Sequence, residues 1–224
     1  MKIDICFVLD CTASMGPWIA EAKQKTVDMV KDVCKTHPGA EVQVAFVGYR
    51  DYGDQKKISL VDFKSPQDAQ RAIQIIEAEG GDDDAEDVAM ALKMVLSLTW
   101  SGDMKFVVHI TDAPAHGTQF HTADISDRFP SGDPDGRDPR DSIEKFSFLN
   151  INYTFVKISR DTDMMIREFE RCYKQGGTFT VLDLLPQTKK QSRSTGDPEN
   201  ISFSAEVSRY ISESITQHTI SQVL

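Results

Sequence analysis

The sequence predicts a doubly wound α/β fold, in which a mostly parallel sheet carries helices on both faces. Short apolar runs alternate along the chain with segments whose apolar residues recur every three or four positions. Runs such as Ile3 to Leu9 are apolar on both faces, which is typical of parallel strands that helices cover from two sides. With 224 residues, 40% of them hydrophobic, the chain is long enough to bury the core that such a fold needs.

Each predicted element rests on a local pattern. Ile3 to Leu9 is a continuous apolar strand with one acidic interruption at Asp4. Apolar residues at helical spacing predict a first helix from Trp18 to Lys35, and Pro17 suits its first turn. The further predicted strands are Glu41 to Gly48, Ile58 to Val61, Lys105 to Ile110, Ile151 to Ile158 and Thr178 to Leu182. The further predicted helices are Pro66 to Ile76, a segment with Ala85, Val88, Leu92 and Val95, Thr162 to Tyr173, and a last helix with Val207, Ile211 and Ile215.

The pattern divides the chain into one domain and a C-terminal part. Residues 1–185 hold the alternating strands and helices. Residues 186–198 are rich in Ser, Lys and Gln and resemble a linker, and we expect the helix within 199–224 to pack on the same domain. The stretch from Ala113 to Asp141 is rich in Pro, Gly and Asp and lacks a regular pattern, and a loop this long in a compact domain is usually functional or disordered.

Composition excludes several classes of function. The 25 Lys and Arg residues against 35 Asp and Glu residues give a formal net charge of −10, which opposes nucleic-acid binding. The longest apolar runs hold about five residues against the roughly 20 that a membrane span needs, so we expect none. The four cysteines, which form no C-x-x-C pair, predict free thiols and a cytoplasmic location. They are Cys6, Cys11, Cys34 and Cys172.

Carboxylates and hydroxyls follow the predicted strands at points that a doubly wound sheet brings to one edge. Such sheets bind ligands beyond the carboxyl ends of their strands, where the strand order reverses. All the candidate side chains offer oxygen, the ligand type that Mg²⁺ prefers. They are Asp10, Thr12 and Ser14 after the first strand, Asp112 after a later one, and Asp82, Asp83 and Asp84 beyond the Gly80-Gly81 break. The first three alone are also typical of a helix-capping turn, but the three loops together predict a metal site.

These residues resemble the metal-ion-dependent adhesion site of von Willebrand factor type A domains. That family has Asp-x-Ser/Thr-x-Ser, then a Thr or Asp in a second loop and an Asp in a third. Asp112 matches the third-loop residue, and Asp83, beyond Gly80-Gly81, takes the second-loop position. More specifically, the chain resembles the A domains associated with alpha-type (atypical) protein kinases, over about residues 3 to 185. The stretches that carry this resemblance are Phe46 to Asp51, Gly80 to Asp87, His109 to Gly117 and Phe129 to Pro134.

The resemblance implies a binding module linked to alpha-kinase signalling, not an enzyme, and no kinase domain is present in this chain. The implied cofactor is Mg²⁺, or Mn²⁺ or Ca²⁺ in its place, with one coordination position left for a Glu or Asp of a protein partner. Such an ion inverts the local field, so a protein of charge −10 can bind an acidic ligand. A carboxylate at Asp83 is expected to strengthen metal binding and to weaken the attraction of a partner's carboxylate.

We further expect a rim around the metal that contacts the ligand. It would consist of Tyr49, Arg50, Asp51 and His116. The alternative for Arg50 is a solvated ion pair with a neighbouring aspartate. Two interpretations are open for the histidines at 109, 116 and 121. One is a zinc site, although no cysteine that could complete it lies nearby. The other is a structural role in orienting the long loop. The acidic loop from 131 to 141 is either solvated or a second cation site.

The alternative function is a Mg²⁺-dependent phosphohydrolase with Asp10 as its nucleophile. Enzymes of that type place a second carboxylate two residues later as the general acid. Here that position is Thr12, whose hydroxyl cannot act as an acid near neutral pH. This residue favours the binding module over the enzyme.

Overall fold

The computed structural model describes residues 1–185 and 203–223, in which six strands form one sheet. The strands are β1 (Lys2–Asp10), β2 (Glu41–Tyr49), β3 (Ile58–Lys64), β4 (Met104–Thr111), β5 (Ile151–Lys157) and β6 (Phe179–Asp183). The helices are α1 (Gly16–Thr36), α2 (Pro66–Gln74), α3 (Val88–Leu96), α4 (Pro139–Phe148), α5 (Asp163–Cys172) and α6 (Phe203–Val223).

The sheet has the strand order β3-β2-β1-β4-β5-β6. All neighbouring pairs are parallel except β2 with β3, which form an antiparallel edge. The chain builds outward from β1 to one side and then returns to place β4 on the other side. The strand order therefore reverses between β1 and β4, and the ends of these two strands are where such folds bind ligands. The predicted doubly wound α/β fold is confirmed.

Two apolar layers cover the sheet because successive side chains of a strand point to opposite faces. In β1, Ile5 and Phe7 face a core shared with α1, α2 and α6. Cys6 and Val8 face a second core shared with α3, α4 and α5. Both faces of the central strand are thus buried, as the continuous apolar run predicts.

The helix α4 was not predicted, since it starts inside the stretch that lacks a regular pattern. Asp138 caps it by accepting a hydrogen bond from the Arg140 amide at 2.9 Å, and Pro139 occupies its first turn. Ile143 and Phe146 are fully buried in the second core. The Asp-Pro dipeptide was therefore a helix start, hidden by the Pro- and Asp-rich sequence before it.

The last helix, α6, lies against the α1 side of the sheet. Its Val207, Ile211 and Ile215 are fully buried in the first core. The predicted linker, 186–198, falls outside the described residues. None of the helices within the described ranges combines the length and the apolar character that a membrane crossing requires.

Candidate metal centre

The ends of β1 and β4 bring the first group of predicted ligands together. The two strands run parallel in register, with Leu9 opposite Ile110, so Asp10 and Asp112 extend from the same edge of the sheet. After Asp10 the chain enters a single 3₁₀ turn, Ala13–Met15, which carries Ser14 and leads into α1. The sequence folds this way because α1 must turn back across the sheet directly after β1.

A continuous set of short contacts joins four of the predicted ligands. Asp10 Oδ1 accepts hydrogen bonds from the Thr12 amide at 2.9 Å and from Thr12 Oγ1 at 2.7 Å. Ser14 Oγ donates to Asp112 Oδ1 at 3.1 Å. Thr12 Oγ1 and Ser14 Oγ are themselves 3.1 Å apart. The structure thus places Asp10, Thr12, Ser14 and Asp112 in one group.

The hydroxyl oxygens of Thr12 and Ser14 also lie within hydrogen-bond distance of each other, at 3.1 Å, and either of them could be the donor. Each hydroxyl oxygen has two lone pairs, so both can also serve as ligands of a cation. Adjacent ligands of an octahedral Mg²⁺ are about 3 Å apart, because its bonds to oxygen are about 2.0–2.1 Å long. The residues present fit a small hard cation.

The group has a buried floor and an open side. Asp10 is fully buried, and its Oδ2 accepts a further hydrogen bond from Thr111 Oγ1 at 2.8 Å. Burial, and then the nearby charge of Asp112, raises the pKa of Asp10 to about 6. Burial also raises the pKa of Asp112. Ser14 is exposed, so a partner can approach the group from its side.

Glu86 also lies near this group, and no local pattern in the sequence predicted it. It is 2% exposed, and its amide donates to the Pro114 carbonyl at 2.9 Å, beside the end of β4. A Cβ added to Gly81 would lie 3.0 Å from Glu86 Oε1 and 3.1 Å from Thr12 Cβ, which places this carboxyl group close to Thr12. Its Oε2 has no hydrogen-bond partner among the described residues. Burial, followed by the charge of Asp10, raises its pKa to about 11.

The acids directly after Gly81, including the predicted ligand Asp83, contact the long loop after β4. Its Oδ2 accepts a hydrogen bond from the Arg128 amide, and Asp82 forms an ion pair with the Arg128 side chain at 3.1 Å. Asp84 accepts from the Ser126 amide at 3.0 Å. All three acids therefore hold the long loop after β4. Glu86, five residues after Gly81, is the acid of this segment that lies beneath the candidate metal site.

The four side chains of the predicted ligand rim are buried. Tyr49 donates to or accepts from His109 Nε2 at 2.9 Å inside the sheet layer. Arg50 is 2% exposed and donates to the carbonyls of Lys56 at 2.7 Å and Glu77 at 2.8 Å. Asp51 and His116, 0% and 3% exposed, contact each other. Loops cover the end of β2, so these residues support the face without forming its surface.

The three histidines fall into two separate environments. His109 lies between the hydroxyls of Tyr49 and Tyr153, and burial lowers its pKa to about 3, so it is neutral. His116 and His121 both contact Asp127, at 2.8 and 2.9 Å. His109 thus links β4 to the neighbouring β5 and, across β1, to β2, whereas the other two organise the loop after β4.

Comparisons with known proteins agree with this architecture. A family model described as von Willebrand factor A domain matches residues 4–126. The chain is 30% identical over 218 residues to the alpha-protein kinase vwkA of Dictyostelium discoideum, covering 96% of this chain and 33% of that protein. The chain therefore spans about a third of this relative's length.

Solved structures share the fold at low sequence identity. The vWF domain of the type V pili tip protein Mfa5 from Porphyromonas gingivalis has a TM-score of 0.57 at 14% identity, over 96% of this chain and 95% of that one. The PilB minor pilin from Streptococcus sanguinis has a TM-score of 0.59 at 13% identity, over 97% of this chain and 62% of that one. Since the family model spans more than half of the sequence and the fold agrees, the chain belongs to the von Willebrand factor A domain family.

Proposed function

We propose that this domain is a divalent-cation-dependent protein-interaction module that binds an acidic residue of a partner. The observation that supports it best is that short contacts join Asp10, Thr12, Ser14 and Asp112 into one group with an open side. The oxygens of this group lie close enough together to surround one cation. Mg²⁺ or Mn²⁺ suits a set of ligands that contains only oxygen.

The residues have distinct tasks in this proposal. Thr12 and Ser14 offer hydroxyl oxygens as ligands, while Asp10 and Asp112 accept the hydroxyl protons and supply negative charge. Glu86 adds charge from beneath, through an oxygen that has no other partner in the described part of the chain. The bound ion supplies a positive centre at an exposed point of an acidic protein. A Glu or Asp of the partner then completes its coordination.

The phosphohydrolase alternative is disfavoured by the surroundings of Asp10. A nucleophilic carboxylate needs a free oxygen that the substrate can reach. Asp10 is fully buried, and three hydrogen bonds engage its two oxygens. The site supports binding rather than attack.

The biological setting of the proposal comes from the kinase relative. That relative is about three times as long as this chain and carries the name of an alpha-protein kinase. We propose that the domain links an acidic partner protein to alpha-kinase signalling, in the cytoplasm, where its four free thiols stay reduced.

Calorimetric titration of Mn²⁺ tests the metal site. Ser14→Ala removes an exposed ligand, so the variant is expected to fold normally and to bind Mn²⁺ at least about tenfold more weakly, a loss of about 1.4 kcal/mol. Asp32→Asn, which removes an exposed carboxylate of α1, is the matched control and should bind as the wild type does. Equal affinities of all three proteins would reject the site.

A second titration tests the acidic ligand. A short peptide with one central Glu is added to wild-type protein saturated with Mn²⁺, and a peptide with Gln in its place is the control. We expect the Glu peptide alone to bind, and only while the metal is present. Binding that persists in EDTA would show that the peptide uses another surface.

A further inference from the structure

A second group of ionisable side chains lies beside the metal centre, where three loops meet. Asp51 follows β2, Asp83 follows the Gly80-Gly81 turn, and His116 follows β4. One ligand atom each from Asp83, His116 and Asp127 lies within 4.8 Å of the other two. None of these residues is used by the proposed adhesion-type site.

His116 is held as metal-binding histidines are held. Its Nδ1 lies 2.8 Å from Asp127 Oδ1, and its Nε2 lies 2.9 Å from Asp51 Oδ1. A histidine that binds a metal through one ring nitrogen almost always donates the other N–H to a carboxylate or carbonyl. Asp127 serves as that outer carboxylate, which leaves Nε2 directed at Asp51.

Asp127 acts as an anchor, because hydrogen bonds already engage both of its oxygens. Oδ1 also accepts from the Phe129 amide at 2.7 Å, and Oδ2 accepts from the Gly117 amide at 2.8 Å and from His121 at 2.9 Å. Few lone pairs of these two oxygens are therefore left to bind a cation. The same bonds fix the loop from 117 to 129 around this carboxylate.

Asp51 and Asp83 offer the free oxygens. Asp51 is 0% exposed and its Oδ2 accepts no hydrogen bond from the described residues, and the same is true of Asp83 Oδ1. Burial, and then the nearby charge of Asp51, raises the pKa of Asp83. Two carboxylates that lie close together, each with a buried oxygen that has no partner, are stabilised by a proton or a cation between them.

We propose that Asp51, Asp83 and His116 bind a first-row transition metal ion such as Zn²⁺, with Asp127 as the outer partner of the histidine. One imidazole nitrogen and two carboxylates are ligands that suit Zn²⁺, whereas Mg²⁺ prefers oxygen alone. The ion ties the end of β2 and the Gly81 turn to the loop after β4. It is thus a structural support beneath the face that carries the adhesion-type site.

Metal analysis of the wild-type domain and variants tests this assignment. After expression with Zn²⁺, removal of any affinity tag and dialysis, we expect one equivalent of Zn²⁺ to remain. His116→Gln and Asp83→Asn should lose it, while Asp127→Asn should weaken Zn²⁺ binding by about 10–100-fold. His37→Gln and Ser14→Ala should keep it. Wild-type protein without zinc, or His116→Gln with zinc retained, would overturn the proposal.

Histidine-ring ¹H–¹⁵N spectra of the wild type settle the matter even if the variants fail to fold. On adding Zn²⁺ to apo protein, His116 Nε2 should lose its proton while Nδ1 keeps the proton donated to Asp127. Both nitrogens of His116 protonated in excess Zn²⁺ would reject the site in favour of an imidazolium between two carboxylates. Because Ser14→Ala leaves these residues intact, failure here and failure of the adhesion-type site are distinguishable.

Discussion

Glu86 is a buried acid at the candidate metal centre whose charge no positive side chain offsets among the described residues. Its carboxyl group is buried next to Thr12, and no positive side chain contacts its unpartnered oxygen among the described residues. A carboxyl in such a place stays protonated near neutral pH unless a cation replaces the proton. A proton and the proposed cation would therefore compete for the same oxygen, and this competition would have measurable consequences.

Glu86→Gln should separate folding from metal binding. The amide closely matches the protonated acid in size and charge, so stability in EDTA is expected to stay within about 1 kcal/mol of the wild type. Affinity for Mn²⁺ should fall at least about tenfold, because the variant cannot supply negative charge. Thermal unfolding with and without Mn²⁺ measures both quantities, since the stabilisation by a ligand depends on its affinity. If Mn²⁺ raised the unfolding temperature of the variant as much as that of the wild type, Glu86 would be excluded as a ligand.

The pH dependence of Mn²⁺ binding should show two proton competitions. Each proton that the metal displaces raises the affinity about tenfold per pH unit while that group is protonated in the metal-free protein. Asp10, with a pKa of about 6, contributes below pH 6 only, and Glu86, with a pKa of about 11, contributes throughout. Calorimetry from pH 5 to 8 should therefore show a steep rise and then a shallower one. In Glu86→Gln the affinity should level off above pH 6, and a rise that continues there would contradict this account.

Local spacing was enough to predict that four of the candidate ligands lie together, but not that Glu86 lies beside them. Asp10, Thr12 and Ser14 lie two residues apart after an apolar strand, and Asp112 follows a second one, so parallel pairing alone brings them together. The position of Glu86 depends on how the Gly80 loop crosses the face, where the Ala13 amide donates to the Gly80 carbonyl at 3.0 Å. No short-range pattern encodes that crossing. The burial of Asp51 and His116 had the same long-range origin.

At the scale of elements, the strands were more predictable than the covering segments. Short runs rich in apolar residues marked every strand, whereas α4 was hidden behind the Pro- and Asp-rich loop. That loop is ordered by side chains of distant elements, as when Arg137 pairs with Asp87, the N-cap of α3, at 3.3 Å. Such contacts depend on tertiary structure, and sequence periodicity does not report them.

The packing of α6 gives a prediction at this scale. If the helix belongs to the domain, Ile211→Ala should lower the free energy of unfolding by about 2–5 kcal/mol, because Ile211 is fully buried in the core that α1 shares. Glu213→Ala, two residues away with an exposed side chain, is the control and should change stability little. Urea unfolding of both variants measures the difference. Equal stability of the two would place α6 outside the cooperative unit.

At the scale of the whole molecule, the thiols report on compactness and on redox state. Cys6 and Cys11 are fully buried, and burial raises the pKa of Cys11 to about 12, whereas Cys34 and Cys172 are half-buried. A thiol reagent should therefore react with at most two cysteines in the native protein and with four after unfolding without reductant. Fewer than four in freshly purified, unfolded protein would reveal a disulfide and contradict the expected reducing location.

The central position of β1 has a consequence for how the chain reaches its native state. On one side β1 pairs with β2, where Lys2 lies opposite Glu41. On the other side it pairs with β4, where Ile3 lies opposite Met104, about a hundred residues later in the chain. A sheet whose middle depends on such distant partners has a high contact order and folds slowly. During synthesis β1 exposes one edge until β4 leaves the ribosome. Because Asp10 and Asp112 meet only then, the proposed cation would stabilise the finished sheet but could not guide its assembly.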